Sequence, residues 1–449
     1  MSARVVRRSL AAGLPLALLA AVGVAGTATG AQDRNHRPEA TARVTASALL
    51  GDVPLGGFSN SMLPGSVGDD RGVMLGGIGS DIYPAGRRGE FWTVTDRGPN
   101  GQIKVDGTKR RTFPVPGFDP AIVKVRVRGE RVEVLRSLPL TTRSGAPVTG
   151  LPNQAGRDEV PYSYDARTPL AYDPNGLDTE GIVRGADGSF WLVDEYGPSL
   201  VHVSGSGRVL ARYVPGGLHL QGADYPVVEA LPGVLLHRKT NRGFEGLALL
   251  PNGDLVLAVQ SPLSLPDEDA GEASRNVRLL RFSPEKRAVT GEYAYRFDAV
   301  GVVDPGEDDT SELKISSVVA IGGNGLLVEE RTDRAARLHR VTLPHGAGIL
   351  DSRWDRPSAS PSYEELADPA ASGVPVLRKS LVVDLGKVAG VPGKIEGVAV
   401  TGRDTLALVN DNDFGMTDGA GAFDADGRLV DSGIETSVTL LKLPRPLTR

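Results

Sequence analysis

Cysteine is absent from the 449 residues, which excludes disulfides, zinc–thiolate centres and thiol nucleophiles together. Any metal must therefore sit on oxygen or imidazole. Imidazole is scarce as well: the six histidines, at 36, 202, 219, 237, 339 and 345, show no metal-ligand spacing. His202 and His339 fall within strand patterns and read as packed or surface residues, which leaves only His219 and His237, in the long loop before Arg242, with a claim to chemistry. An excess of positive charge is missing too. With 50 Lys and Arg against 55 Asp and Glu, the net charge of −5 gives no field to attract nucleic acid, and that partner class is set aside. No Gly-x-Ser-x-Gly elbow occurs, since Gly57-Phe-Ser-Asn-Ser and Val203-Ser-Gly-Ser-Gly both fail the pattern. No phosphate-cradling glycine motif stands before a helix. Asp424-Ala-Asp426-Gly427 lacks the downstream Glu of a calcium loop and reads as a hairpin turn.

Long apolar runs are confined to the start, where Arg4, Arg7 and Arg8 precede Leu10–Val24 and the small residues Ala28-Thr29-Gly30-Ala31. This is the layout of an export signal over residues 1–31, followed by a flexible leader over 32–41. Arg7-Arg8-Ser9-Leu10-Ala11 loosely matches a twin-arginine signal and suggests a bacterial, extracytoplasmic protein, exported by that route or by the ordinary secretory one. No membrane insertion is expected after cleavage. Residues 42–449 then form a single domain, expected to be a monomer.

What the sequence has in quantity is turn formers, 57 Gly and 32 Pro, and within them a repeat. Asp178–Pro198 contains two short apolar runs joined by Ala-Asp-Gly. Arg242–Gln260 and Lys394–Asp411 are close copies, and Lys314–Arg331 and Gly79–Arg97 weaker ones. Each reads as strand, tight turn, strand. Further strand pairs follow, among them Ile122–Arg128 with Arg131–Leu135, and Val277–Phe282 with Gly291–Phe297. Two hairpins per unit make a four-stranded blade, so the fold expected is all-β, a propeller of about five such blades. A sixth blade stays open within Thr141–Asn175 or Gly216–Lys239, segments read here as long surface loops. Val44–Leu50 and Ser437–Leu443 are strand-like and are expected to complete one blade from both ends of the chain. Pro266–Asp269 and Pro305–Asp309 are expected in loops, and Tyr363–Asp368 in a short helix. A β-sandwich is the rival fold, but it leaves the recurrence of Glu-Gly at one phase of the unit unexplained.

In an up-and-down blade the inner strand begins, and the second strand ends, on one side of the disk. The positions opening the inner strands are Asp178, Glu180, Arg242, Glu245, Lys314, Lys394 and Glu396; those closing the second strands are Asp96, Arg97, Asp194, Glu195, Gln260, Glu330, Arg331, Asn410, Asp411 and Asp413. All are predicted to converge on one mouth of the central channel, where crowded charges must be paired or metal-bound. Carboxylates without Cys or paired His suit calcium better than zinc. Lys and Arg beside them would grip an anion such as a phosphate. Metal-assisted hydrolysis of a phosphate ester is the chemistry such a set permits. The candidate catalytic residues are Glu180, Glu245 and Glu396 with Arg97, Arg242, Lys314, Arg331 and Lys394; the candidate metal ligands are Asp96, Asp194, Glu195, Asp411 and Asp413. The substrate expected is a small anionic molecule such as a phosphate ester. The competing view of the Glu-Gly set is structural, with the carboxylates bonding to backbone amides and basic partners and tying blades together.

Arg242-Gly-Phe-Glu-Gly-Leu-Ala, Lys394-Ile-Glu-Gly-Val-Ala, Phe91-Trp-Thr-Val-Thr-Asp-Arg-Gly and Ala407-Leu-Val-Asn-Asp-Asn-Asp-Phe-Gly resemble motifs of the phytase-like family, described by its esterase-like activity of phytase. The resemblance covers roughly Gly76 to Leu443 and implies phosphate-ester hydrolysis. Calcium-dependent β-propeller phytases are similar in architecture and would imply several calcium ions at an acidic mouth. No residue-by-residue match to them is found, so no catalytic assignment is carried over. The alternatives are a non-catalytic extracellular propeller that binds a ligand, and a lactonase-like or sugar-oxidising propeller, disfavoured by the lack of a His-based site.

Overall fold

A computed structural model describes residues 41–55 and 69–447. The signal and most of the leader lie outside these residues. The fold is all-β. The hairpins expected from the repeat all form, because alternation of apolar residues is interrupted by turns that need positive φ, as at Gly188 (φ 85°) and Gly253 (φ 89°).

Asp81–Pro84, Glu90–Val94, Ala121–Arg128 and Arg131–Pro139 run side by side in one sheet. The same sheet continues through Arg43–Leu49, Ser437–Lys442, Thr405–Asn410 and Ile395–Gly402, joined to the first four strands only by the parallel pair Leu49 and Arg131. A second sheet comprises Thr179–Arg184, Phe190–Asp194, Ser199–Val203, Val209–Pro215 and Val227–Leu231. The third holds Phe244–Leu249, Leu255–Val259, Asn276–Ser283 and Ala288–Arg296; the fourth Val318–Ala320, Gly325–Arg331, Ala336–Thr342 and Lys379–Asp384. The strands from the two ends of the described chain pair antiparallel, Leu49 opposite Ser437 and Arg43 opposite Lys442.

The inner strands, those that start at 81, 179, 244, 318 and 395, touch one another in chain order, and the last touches the first. This arrangement accounts for half of the Glu-Gly signature. A Cβ on Gly181 would lie 2.8 Å from the Glu245 carbonyl oxygen, one on Gly246 2.8 Å from Val318 Cγ2, and one on Gly397 2.8 Å from Asp81 Cα. Glycine follows glutamate because only glycine lets neighbouring inner strands come this close. Between the sheets lie the hydrophobic cores. Trp92 meets Phe190 edge-on at 4.9 Å across the first and second sheets, and Tyr213 meets Phe282 at 5.1 Å across the second and third.

Four local expectations change. Val227–Leu231 adds a parallel fifth strand to the second sheet, inside a segment read as loop. Gly101–Val105, Thr108–Thr112 and Pro161–Tyr162 form a small side sheet that the repeat did not announce. Pro266–Asp269 leads into a helix, Glu268–Ala273, whose N-cap Asp267 accepts from the amide of Ala270 at 2.9 Å. Tyr363–Asp368 is a series of turns and not a helix. The Asn276 side-chain amide donates to the carbonyls of Tyr363 (2.9 Å) and Leu366 (2.8 Å), and Arg278 clamps both oxygens of Glu364, so these carbonyls are held by a neighbouring strand and the segment keeps a turn bond from the Leu366 amide to Tyr363 (3.3 Å).

Candidate functional site

Where the inner strands begin, the chain encloses a cavity of about 830 Å³. Glu180, Glu245 and Glu396 from the inner strands line it with Asp96, Arg97, Glu195, Gln260, Arg331, Asp411 and Asp413 from the ends of second strands. Arg242, Lys314 and Lys394 line it as well. Twelve of the thirteen candidate catalytic and metal-binding residues thus share one cavity.

Asp194 is the exception. Side chains alternate along a strand, so when Glu195 faces the mouth its predecessor turns the other way. The Asp194 carboxylate takes the Asp178 amide (2.8 Å), Ser199 Oγ (2.8 Å) and the wholly buried Arg212 Nη2 (2.6 Å), and it does not line the cavity. Glu330 turns away beside Arg331 for the same reason, accepting from Tyr295 Oη at 2.6 Å and from Lys379. Asn410 is used to hold the C-terminal strand, its Oδ1 accepting from the Ser437 amide at 2.9 Å. Asp178 sits behind the cavity wall, wholly buried. His219 is exposed and meets Glu229 at 3.1 Å, and neither it nor His237 reaches the cavity.

The floor is acidic. Asp178, Glu180 and Glu195 each offer an oxygen within 4.8 Å of the other two. Burial pushes the Glu180 and Glu195 carboxyls well up, and the Asp178 and Glu245 charges push them further. Arg97 offers the local compensation, its Nε 3.2 Å from Asp178 Oδ2 and its Nη2 3.7 Å from Glu195 Oε2. Glu180 has no side-chain hydrogen bond among the described residues. Beside it, Glu245 Oε2 and Gln260 Oε1 are buried and unpartnered, although Glu245 Oε1 is held by Ser316 Oγ at 2.7 Å and Arg331 Nη2 at 3.3 Å. Crowded carboxylates and amide oxygens with unspent lone pairs are a hard-oxygen donor set, and they fit a calcium-like cation.

One wall is basic, and its cations differ in what they have free. Arg331 also donates to Glu396, and Lys394 bonds Asp411 Oδ2 at 2.7 Å and Asp413. Arg242 has no carboxylate within ion-pairing distance among the described residues and meets only Ser261 Oγ, at 3.2 Å. Its amide closes a turn on the Lys239 carbonyl at 3.1 Å, with Asn241 in the left-handed region (φ 55°). That turn brings Lys239 to the same cavity, where burial and then the Arg242 charge bring its ammonium down to about 8. Lys314 is lowered too, by burial and then by Arg331 and Arg242, despite Asp333 at 2.8 Å. Lys239, Arg242 and Lys314 therefore gather on one wall of the cavity, Lys314 paired with Asp333 and the other two without an ion pair among the described residues.

Lys239 was not singled out from the sequence, nor were Lys109, Arg111, Glu159, Glu268 and Glu272, which also line the cavity. They arrive on the side sheet, the small helix and loops, outside the repeat that exposed the others. A second trio, Asp298, Glu330 and His339, also has ligand-like spacing. It is already neutralised, by Lys379 Nζ at 2.9 Å and Arg337 Nη1 at 3.0 Å from Asp298.

The profile of the family described as "Phytase-like: Esterase-like activity of phytase" matches residues 74–414. A protein of Arthroderma benhamiae described as an uncharacterized secreted protein is 26% identical over 368 residues, covering 71% of this chain and 72% of that protein. This relative is fungal, whereas the signal suggests a bacterial protein. Among solved structures, a luciferin-regenerating enzyme is similar at a TM-score of 0.34 and 10% identity, covering 86% of this chain and 98% of the other. An aldose sugar dehydrogenase from Streptomyces coelicolor is similar at 0.30 and 14%, covering 78% and 98%. No helix among the described residues is long and apolar enough to cross a membrane.

Proposed function

The chain belongs to the phytase-like family, and from that premise we propose that it hydrolyses phosphate esters in a cation-assisted reaction at the mouth of a five-bladed propeller closed by strands from both ends of the chain. The observation that carries this reading is the opposition, in one cavity, of an acidic floor with unspent oxygens to a basic wall on which Arg242 and Lys239 form no ion pair among the described residues.

Arg242, Lys239 and Lys314 hold the phosphoryl oxygens, Arg242 with two N–H groups in a fixed fork. Glu180, Glu195 and Gln260, backed by Asp178, would hold a calcium-like cation, and Asp96, Asp411 and Asp413 complete the acidic rim. When bound, the cation supplies charge neutralisation and lowers the pKa of water. Glu245 is the base in this scheme: it lines the cavity, Ser316 and Arg331 fix its Oε1, and Oε2, without a partner, is the oxygen that would take a proton from the attacking water. The P–O bond to the leaving group breaks as the new one forms, and the departing oxygen takes a proton from solvent, releasing an alcohol and inorganic phosphate while Glu245 returns its proton to solvent. The secreted relative favours an extracellular site of action.

A non-catalytic ligand-binding propeller is the second reading. It is favoured by the ion pairs that already occupy Arg97, Arg331 and Lys394. Phosphate release from inositol hexakisphosphate and from p-nitrophenyl phosphate, with calcium and with chelator, separates the two. Hydrolysis predicts calcium-dependent turnover that falls by roughly 10²–10⁴ in Glu245→Gln. No turnover on either ester, with no calcium-dependent rise in melting temperature, favours binding alone.

A further inference from the structure

The channel has a second chamber. About 300 Å³ of space opens between all five inner strands, lined by Ile182, Leu247 and Val398, each two residues or about 7 Å along its strand from Glu180, Glu245 and Glu396 at the charged mouth. Ile82, Ile182, Leu247, Val318 and Val398, one from each inner strand, form its walls. Among its lining residues only Asp81 and Tyr83 carry polar side chains.

Asp81 is 4% exposed and forms no ion pair among the described residues. Its Oδ2 accepts from the Ile182 amide at 2.9 Å. Burial raises its carboxyl well above the ordinary range, as expected of an acid in an aliphatic tube with no counter-charge. Glu329, on the second strand of the fourth sheet, is wholly buried with neither carboxylate oxygen hydrogen-bonded, and Asp81 is one of the charges that repel it. The guanidinium that favours ionised Glu329 is that of Arg331, and it is committed to Glu245 and Glu396 on the mouth side. Asp81 is therefore a buried acid without a counter-charge at the wall of the chamber, and the chamber offers aliphatic contact around it.

We propose that this chamber is a second binding site, separate from the mouth, for a small organic ammonium ion whose apolar body packs against the inner strands and whose cationic head reaches the Asp81 carboxylate. An inorganic cation would leave the aliphatic walls unused, and a neutral apolar molecule would leave the buried acid without a partner. The site does not depend on catalysis at the mouth.

Isothermal titration of the full chain with n-hexylammonium and with hexan-1-ol tests it, because the two probes share a chain and differ in charge. The ammonium ion is expected to bind at least tenfold more tightly than the alcohol. Asp81→Asn should remove the difference. Ala320→Trp, which puts an indole into the chamber from a half-buried position, should abolish binding of the ammonium and leave the mouth untouched; it decides the matter if Asp81→Asn does not fold. Equal affinity for the two probes, no binding of the ammonium, or ammonium binding that survives Ala320→Trp overturns the proposal.

Discussion

Arg331 Nη2 donates to Glu245 Oε1 at 3.3 Å, so the last residue of a second strand in one sheet grips the inner strand of the sheet before it. The same nitrogen donates to Glu396 in the sheet after it. One guanidinium thus joins three sheets at the rim of the channel, and the structural role weighed for the Glu-Gly set coexists with a free Oε2.

Arg331→Met leaves buried Glu245 without a cation and Glu396 with only Lys394, at 3.9 Å, a loss of roughly 3–5 kcal/mol for a broken buried pair. Calorimetry should find a clear fall in melting temperature. Combining it with Glu245→Gln should recover part of that fall, because the orphaned charge is gone. A melting temperature unchanged in Arg331→Met would refute the clasp.

Glu180→Gln should behave in the opposite way. Glu180 has no hydrogen bond to lose, and Asp178, Glu245, Glu195 and Glu396 all disfavour its ionised form. The neutral variant is expected to melt at the same temperature as the parent or slightly higher in chelator, and to lose both turnover and the calcium-dependent rise in melting temperature. Retention of that rise would remove Glu180 from the cation site.

Lys239 makes anion binding pH-dependent. Its ammonium is brought from the ordinary 10.5 down to about 8, so the folded chain releases this proton before the unfolded chain does. The sign follows: the unfavourable contribution of Lys239 to stability is relieved as pH rises from about 8 towards 10, and over the same interval its hold on an anion is lost. Inhibition by inorganic phosphate should weaken as pH passes about 8, and Lys239→Met should inhibit more weakly and without that step. An identical pH profile in the variant would exclude Lys239 from the anion site.

Asp194→Asn separates architecture from chemistry. The Asp194–Arg212 pair is wholly buried at 2.6 Å, and leaving Arg212 unpaired should cost roughly 3–5 kcal/mol. Denaturant unfolding should report that loss, whereas calcium affinity and turnover of the folded fraction stay within about twofold of the parent. A selective loss of calcium affinity would return Asp194 to the ligand set.

The hairpins were legible because each is a local event: a short apolar run, a Gly-containing turn and a second run, as in Thr179–Arg184 and Phe190–Asp194. The shared mouth was legible for a related reason, since a fixed phase in the repeat fixes a fixed height on the disk. Phase alone did not resolve which of two consecutive acids faces the opening. Asp194 and Glu195, like Glu330 and Arg331, separate by strand alternation. Lys239 and Arg111 were hidden because loop and side-sheet positions carry no phase at all. The pairing of ends was visible as two strand-like segments, but its register came only from the structure.

Thr45 Oγ1 donates to the carbonyl of Leu440, 395 residues later. During synthesis the strand at 43–49 has therefore left the ribosome long before its neighbour exists, and it must be kept from pairing elsewhere until nearly the whole polypeptide has emerged. A nick or a premature stop in the last dozen residues would consequently be felt by the first strand as much as by the last.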